Sequence, residues 1–141
     1  MLSSEIDGRI IDLLVMDADL SYREIARKLR LNPSTVRKRV LSLKRRGVIR
    51  KVIVEVDTEK IGLKLNVSLG IDVDPTKSIE ASKRLAGMPE TVMGFHTSGG
   101  HDFYVIVHAR DRESLTKIIN KYRSIEGVAK VVPTFIMERL R

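Results

Sequence analysis

Residues 25–54 hold eleven lysines and arginines and not one acid. A run this basic is either a disordered tail or one face of a folded element, and the residues inside it choose the second. Asn32-Pro33 opens a helix, because Asn is a favoured N-cap and proline is tolerated at the first helical position. Leu31 and Val36 are spaced to form a hydrophobic staple across that start. Val36, Val40 and Leu43 recur at helical spacing as a buried stripe, and Gly47 marks the stop. The spacing predicts a one-faced basic helix between Pro33 and Gly47.

Two shorter helices are predicted ahead of it. Ile6, Ile10, Leu13 and Leu14 share one face, Ser4 and Asp7 resemble a capping pair, and the segment gives out near Asp17-Ala18-Asp19. Ser21-Tyr22-Arg23-Glu24 is a capping box for a second helix of eight or nine residues, with Ile25, Ala26 and Leu29 inside. Three helices, the last two joined by a tight turn at Arg30-Leu31-Asn32, make a helix-turn-helix. From Val48 the period changes to two, which predicts a strand or wing-like extension reaching Val54.

The second half alternates elements. Leu65, Val67, Leu69, Ile71 and Val73 read as a half-buried strand, and residues 78–85 as a helix. Strands are expected at 91–97, 103–109 and 128–137, with a helix at 112–124. The order is β-α-β-β-α-β, a ferredoxin-like arrangement with both helices on one face of an antiparallel sheet. The expected fold class is therefore α+β: a (winged) helix-turn-helix domain over 1–53, a hinge over 54–63 and a ferredoxin-like domain over 64–141. Residues 103–107 and 131–137 are apolar in both alternations, so the sheet face away from the helices is expected to be covered by a second copy of the chain.

Charge separates the halves. Residues 1–53 hold thirteen bases against six acids, and residues 54–141 hold thirteen against twelve, so nearly all of the net +8 lies in the first half. Such asymmetry points to a polyanion as partner of that half. No cysteine is present, which excludes disulfides, thiolate metal sites and thiol catalysis. No apolar run reaches a membrane span and Met1-Leu2-Ser3-Ser4-Glu5 is not a signal peptide, so a cytoplasmic location with no membrane partner is expected. His96, His101 and His108 lack the converging partners a metal needs, and no nucleophile triad, phosphate loop or carboxylate pair is legible. The chain is expected to be neither an enzyme nor a holder of a cofactor.

The outward residues of the basic helix have the chemistry of a DNA reader. Arg37 or Lys38 can reach the guanine acceptors in the major groove, while Ser34 and Thr35 suit backbone or water-mediated contacts. Arg39, Lys44, Arg45, Arg46, Arg50 and Lys51 are expected to hold phosphates, with Ser21 and Tyr22 at a helix start beside the backbone. A merely solvated charged face would not need the caps, the staple and the preceding short helix. No aromatic residue lies between Arg23 and Phe95, so the segment offers no platform for stacked RNA bases, and double-stranded DNA is preferred. In the second half, Ser98-Gly99-Gly100-His101-Asp102 is either a hairpin loop with glycines for positive φ or a ligand loop, in which Asp102 could take an ammonium group.

These motifs, taken in order, resemble the leucine-responsive/asparagine-operon (Lrp/AsnC) transcription regulators across nearly the whole chain. The likeness runs through Ile6-Asp7 and Arg9-Ile10-Ile11, residues 21–26, Arg39-Val40-Leu41-Ser42-Leu43, Gly47-Val48-Ile49, Ile61-Gly62, Ser98-Gly99 with Asp102-Phe103, and Ile125-Glu126-Gly127-Val128. The resemblance implies a DNA-binding domain for pseudo-palindromic sites and a C-terminal RAM-type domain. It further implies a homodimer that assembles to a tetramer or octamer. An amino-acid effector is implied at the loop carried over here to Thr97, Ser98, Gly99, Gly100, His101 and Asp102. The chain departs from the family pattern at Asp19, Arg45, Arg46 and His101. The function expected is a sequence-specific transcriptional regulator that senses an amino acid or related small molecule. The alternative is an architectural DNA-compacting protein of the same fold without an effector.

Overall fold

The computed structural model describes residues 4–138. Residues 1–3, which enter the signal-peptide reading, and residues 139–141, the end of the expected second domain, lie outside it. The chain divides into two compact units, one up to Glu55 and one from Val56 on.

In the first unit, α1 (Glu5–Met16) starts on Ser4, whose hydroxyl accepts the Asp7 amide. α2 (Tyr22–Leu29) starts on the Ser21/Glu24 capping box, and the bonds from Ser21 hold the Glu24 carboxyl below its ordinary pKa. α3 (Pro33–Arg45) starts on Asn32, which accepts the Ser34 amide. Both α2 and α3 end in a Schellman pair. Leu31 N donates to Ala26 O and Arg30 N to Arg27 O, while Val48 N donates to Leu43 O and Gly47 N to Lys44 O. The residue in the left-handed conformation is Gly47 (φ 70) after α3 but Arg30 (φ 55) after α2. An arginine there costs on the order of 1 kcal/mol that a glycine would not. Ile10, Ile25, Ala26, Val36 and Val40 form the core, with Leu31 packed on it as the staple requires.

Of the strand or wing-like extension expected from Val48 to Val54, the strand is corrected by the structure: none forms there. Alternation makes a strand only where a neighbouring backbone exchanges hydrogen bonds with it. The first unit offers no other extended segment among the described residues. Val52, Ile53 and Val54 are exposed.

The second unit is a four-stranded antiparallel sheet in the order β2-β3-β1-β4, formed by β1 (Leu65–Val73), β2 (Met93–His96), β3 (Phe103–Ala109) and β4 (Val128–Phe135). A 3₁₀ turn at Pro75–Lys77 leads into α4 (Ser78–Gly87), and α5 (Arg112–Arg123) joins β3 to β4. The unit is thus β-α-β-β-α-β, the ferredoxin-like arrangement. Val67, Leu69, Ile71, Phe103, Val105 and Val107 face Ala81 and Leu85 of α4 and Leu115, Ile118 and Tyr122 of α5 in one core. The register places Met93, Phe95, Tyr104, Ile106 and Val132 on the opposite face, where no helix of the unit covers them; Phe95 is 49% exposed.

Candidate nucleic-acid interface and effector loop

α3 displays its side chains in three directions. Val36, Val40 and Leu43 are buried. At about 100° per residue, Ser34, Arg37, Lys38, Leu41 and Arg45 share the outward face, and all five are exposed. Arg39 and Arg46 fall on a flank between these, toward α1.

That flank bears on one expectation. Arg39, placed by its charge among the phosphate contacts, donates from Nη1 to Ser4 Oγ at 2.9 Å and to Asp7 Oδ1 at 2.8 Å. Its guanidinium is a tie between α1 and α3, which neither periodicity nor charge counting reveals because the partner lies 32 residues away. Arg46 is partly drawn in as well, with Nη1 3.9 Å from Asp7 Oδ2. Lys44, Arg45, Arg50 and Lys51 are exposed.

The short polar residues are more committed than their positions suggest. Ser34 Oγ donates to Asn32 Oδ1 at 2.9 Å, leaving its lone pairs outward. Ser21 Oγ donates to Glu24 Oε2 at 2.6 Å, so its proton serves the capping box. Tyr22 packs against the core and Thr35 is half-buried.

In the second unit, residues 97–102 form a closed loop between β2 and β3. Thr97 N donates to Asp102 O at 2.9 Å and Thr97 Oγ1 to His101 O at 2.6 Å. Asp102 does not wait for a ligand with both oxygens, because Oδ2 accepts the Val73 amide at 2.9 Å. His101 turns down onto the sheet. Its Nδ1 lies 2.7 Å from Asp72 Oδ1, and Tyr104 meets the ring edge-on at 5.5 Å. The ring occupies the space beside Gly70, where a Cβ would come within 2.2 Å of His101 Cδ2. Ser98, Gly99 and Gly100 are left exposed, and among the described residues their amides donate to no backbone carbonyl. No group of three or more metal-ligating side chains converges among the described residues.

Against known families, residues 3–50 match the winged helix-turn-helix DNA-binding model and residues 66–141 match the Lrp/AsnC ligand-binding domain. The chain belongs to the Lrp/AsnC family. It is a transcriptional regulator with a DNA-binding helix-turn-helix and a domain of the Lrp/AsnC ligand-binding type. It is 36% identical over 138 residues to the HTH-type transcriptional regulator LrpA of Pyrococcus horikoshii, covering 97% of this chain and 98% of that one. It is 32% identical to the HTH-type transcriptional regulator FL11 of Pyrococcus furiosus, over 88% of this chain and 82% of the other. Its structure resembles that of LrpC from B. subtilis, with a TM-score of 0.83 at 28% identity and coverage of 100% and 99%. A transcriptional regulator of Neisseria meningitidis, solved as an L-Met complex, shares the fold with a TM-score of 0.86 at 18% identity, over 98% and 92% of the chains. The two Pyrococcus relatives are HTH-type transcriptional regulators, not enzymes. No helix among the described residues is long and apolar enough to cross a membrane.

Proposed function

We propose that this Lrp/AsnC chain is a sequence-specific regulator that reads double-stranded DNA with α3 and senses an amino acid through its second unit. The observation that carries the DNA half is the outward face of α3, where Arg37 and Lys38 stand exposed beside Ser34. These residues reach base edges in the major groove. Lys44, Arg45, Arg46, Arg50 and Lys51 hold phosphate on either side, with the start of α2 at Ser21 and Tyr22 adding a helix N-terminus. Residues up to about 53 form the DNA-binding domain, 54–63 the hinge, and 64–141 the effector-binding and self-association domain.

The test compares two single substitutions on a selected duplex and on unrelated DNA. Arg37→Ala should flatten sequence preference at a cost of about 1–3 kcal/mol on the selected site. Arg45→Ala should weaken both duplexes about equally and lower the salt slope by about one per chain. Uniform loss in both variants would remove Arg37 from the base-reading set.

The effector half rests on the loop. Three exposed amides at Ser98, Gly99 and Gly100 suit a carboxylate, and the remaining oxygen of Asp102 suits an ammonium group. A fold relative was solved with L-Met, which supports an amino acid as the class. The apolar outer sheet face supports a twofold assembly, a homodimer building to a tetramer or octamer, matched to pseudo-palindromic sites. Calorimetry against the twenty amino acids should return heat from a subset and none from the rest. Silence from all twenty would favour an architectural protein of the same fold.

A further inference from the structure

Asp7 is an acid buried in the most basic unit of the molecule. Its side chain is 4% exposed, whereas that of its partner Arg39 is 32% exposed. It sits in the first turn of α1, and Oδ1 takes Arg39 Nη1 from the middle of α3 at 2.8 Å. Ser4 Oγ takes the same Nη1 at 2.9 Å, and Arg46 Nη1 stands 3.9 Å from the other carboxylate oxygen.

The core contacts of α3 with its neighbours are apolar. Val36 and Val40 pack on Ile10, Ile25 and Ala26. Such contacts fix which stripe is buried but are not directional, so they tolerate small rotations of the helix about its own axis. A charge-assisted hydrogen bond is directional, and a buried carboxylate stripped of its guanidinium is strongly unfavourable. The pair therefore holds one rotation of α3 against α1. That rotation sets the angle at which the outward face, on the other side of the helix, meets a groove.

We propose that Asp7 is a positioning residue for DNA recognition: through Arg39 it fixes the rotation of α3, and so governs discrimination between DNA sites rather than grip on DNA. This inference rests on the outward face of α3 being the base-reading surface.

The experiment measures the affinity of the full chain for its selected duplex and for an unrelated one, over a salt series. Asp7→Asn is compared with Asp12→Asn, which removes the same charge from an exposed position of α1. A third variant, Asp7→Leu with Arg39→Met, keeps the net charge and replaces the pair by apolar contacts, a change that folded proteins commonly tolerate. Asp12→Asn should leave the ratio of the two affinities unchanged. Asp7→Asn and the double variant should each lower that ratio by roughly tenfold, about the size of one base contact. The double variant should keep its affinity for unrelated DNA and its salt slope, because Arg39 is not a phosphate contact.

A wild-type ratio in the folded double variant overturns the proposal. So does a salt slope smaller by about one per chain, which would return Arg39 to the phosphates. A wild-type chain that grips all duplexes equally overturns the base-reading role of α3, and this inference with it.

Discussion

Affinity of this chain for duplex DNA should fall by about 10³–10⁵ between roughly 50 and 200 mM salt. Lys44, Arg45, Arg46, Arg50 and Lys51 are the phosphate-holding candidates of one chain, and a dimer that engages four of the five on each side makes eight contacts, within the range of about six to ten. Each neutralised phosphate releases counterions, which gives a slope of log affinity on log salt near about −7 for eight contacts. Arg39 is left out of that count because its guanidinium is held by Asp7 and Ser4. Fluorescence anisotropy across the salt series reads the slope directly. A value near zero would mean that the basic run does not meet the DNA backbone.

Ile106→Asp should break self-association. Ile106 lies on the outer sheet face opposite Met93, away from the core shared with α4 and α5, so the unit itself should still fold. In a twofold interface the substitution places two unpaired carboxylates against apolar surface. At about 3–5 kcal/mol for each uncompensated buried charge, the dimer constant should weaken by roughly 10⁴-fold or more. Sedimentation equilibrium should then report the mass of one chain, 16.0 kDa, and the salt slope on DNA should halve. A variant that kept the assembled mass would place the interface elsewhere.

Local chemistry makes much of this molecule legible in its sequence. The Ser21/Glu24 box, the Asn32-Pro33 start and Gly47 are short-range signals, and α2 and α3 begin, and α3 ends, where those residues put them. The β-α-β-β-α-β order followed from apolar periodicity alone. What escaped depends on partners far along the chain. Arg39 reads as one more cation until α1 folds beside it. Asp102 reads as a free carboxylate until Val73 arrives from another strand. Val48 to Val54 reads as a strand because alternation says nothing of whether a pairing edge exists. Arg30 carries no turn signature at all, yet it takes the conformation that a glycine would adopt more cheaply.

The loop at 97–102 is fastened twice to one strand. Asp102 holds the Val73 amide, and His101 holds Asp72 while filling the hollow at Gly70. Between Asp72 and Val73, β1 also shifts its register against β4. A ligand that drew Asp102 or His101 toward itself would therefore loosen or reset this register step in β1, one of the two inner strands. Both edges of the sheet hang from that strand and its partner β3. Occupancy of a small surface loop would then be felt as a change in sheet curvature, with the outer face bending as a plate rather than moving as separate side chains.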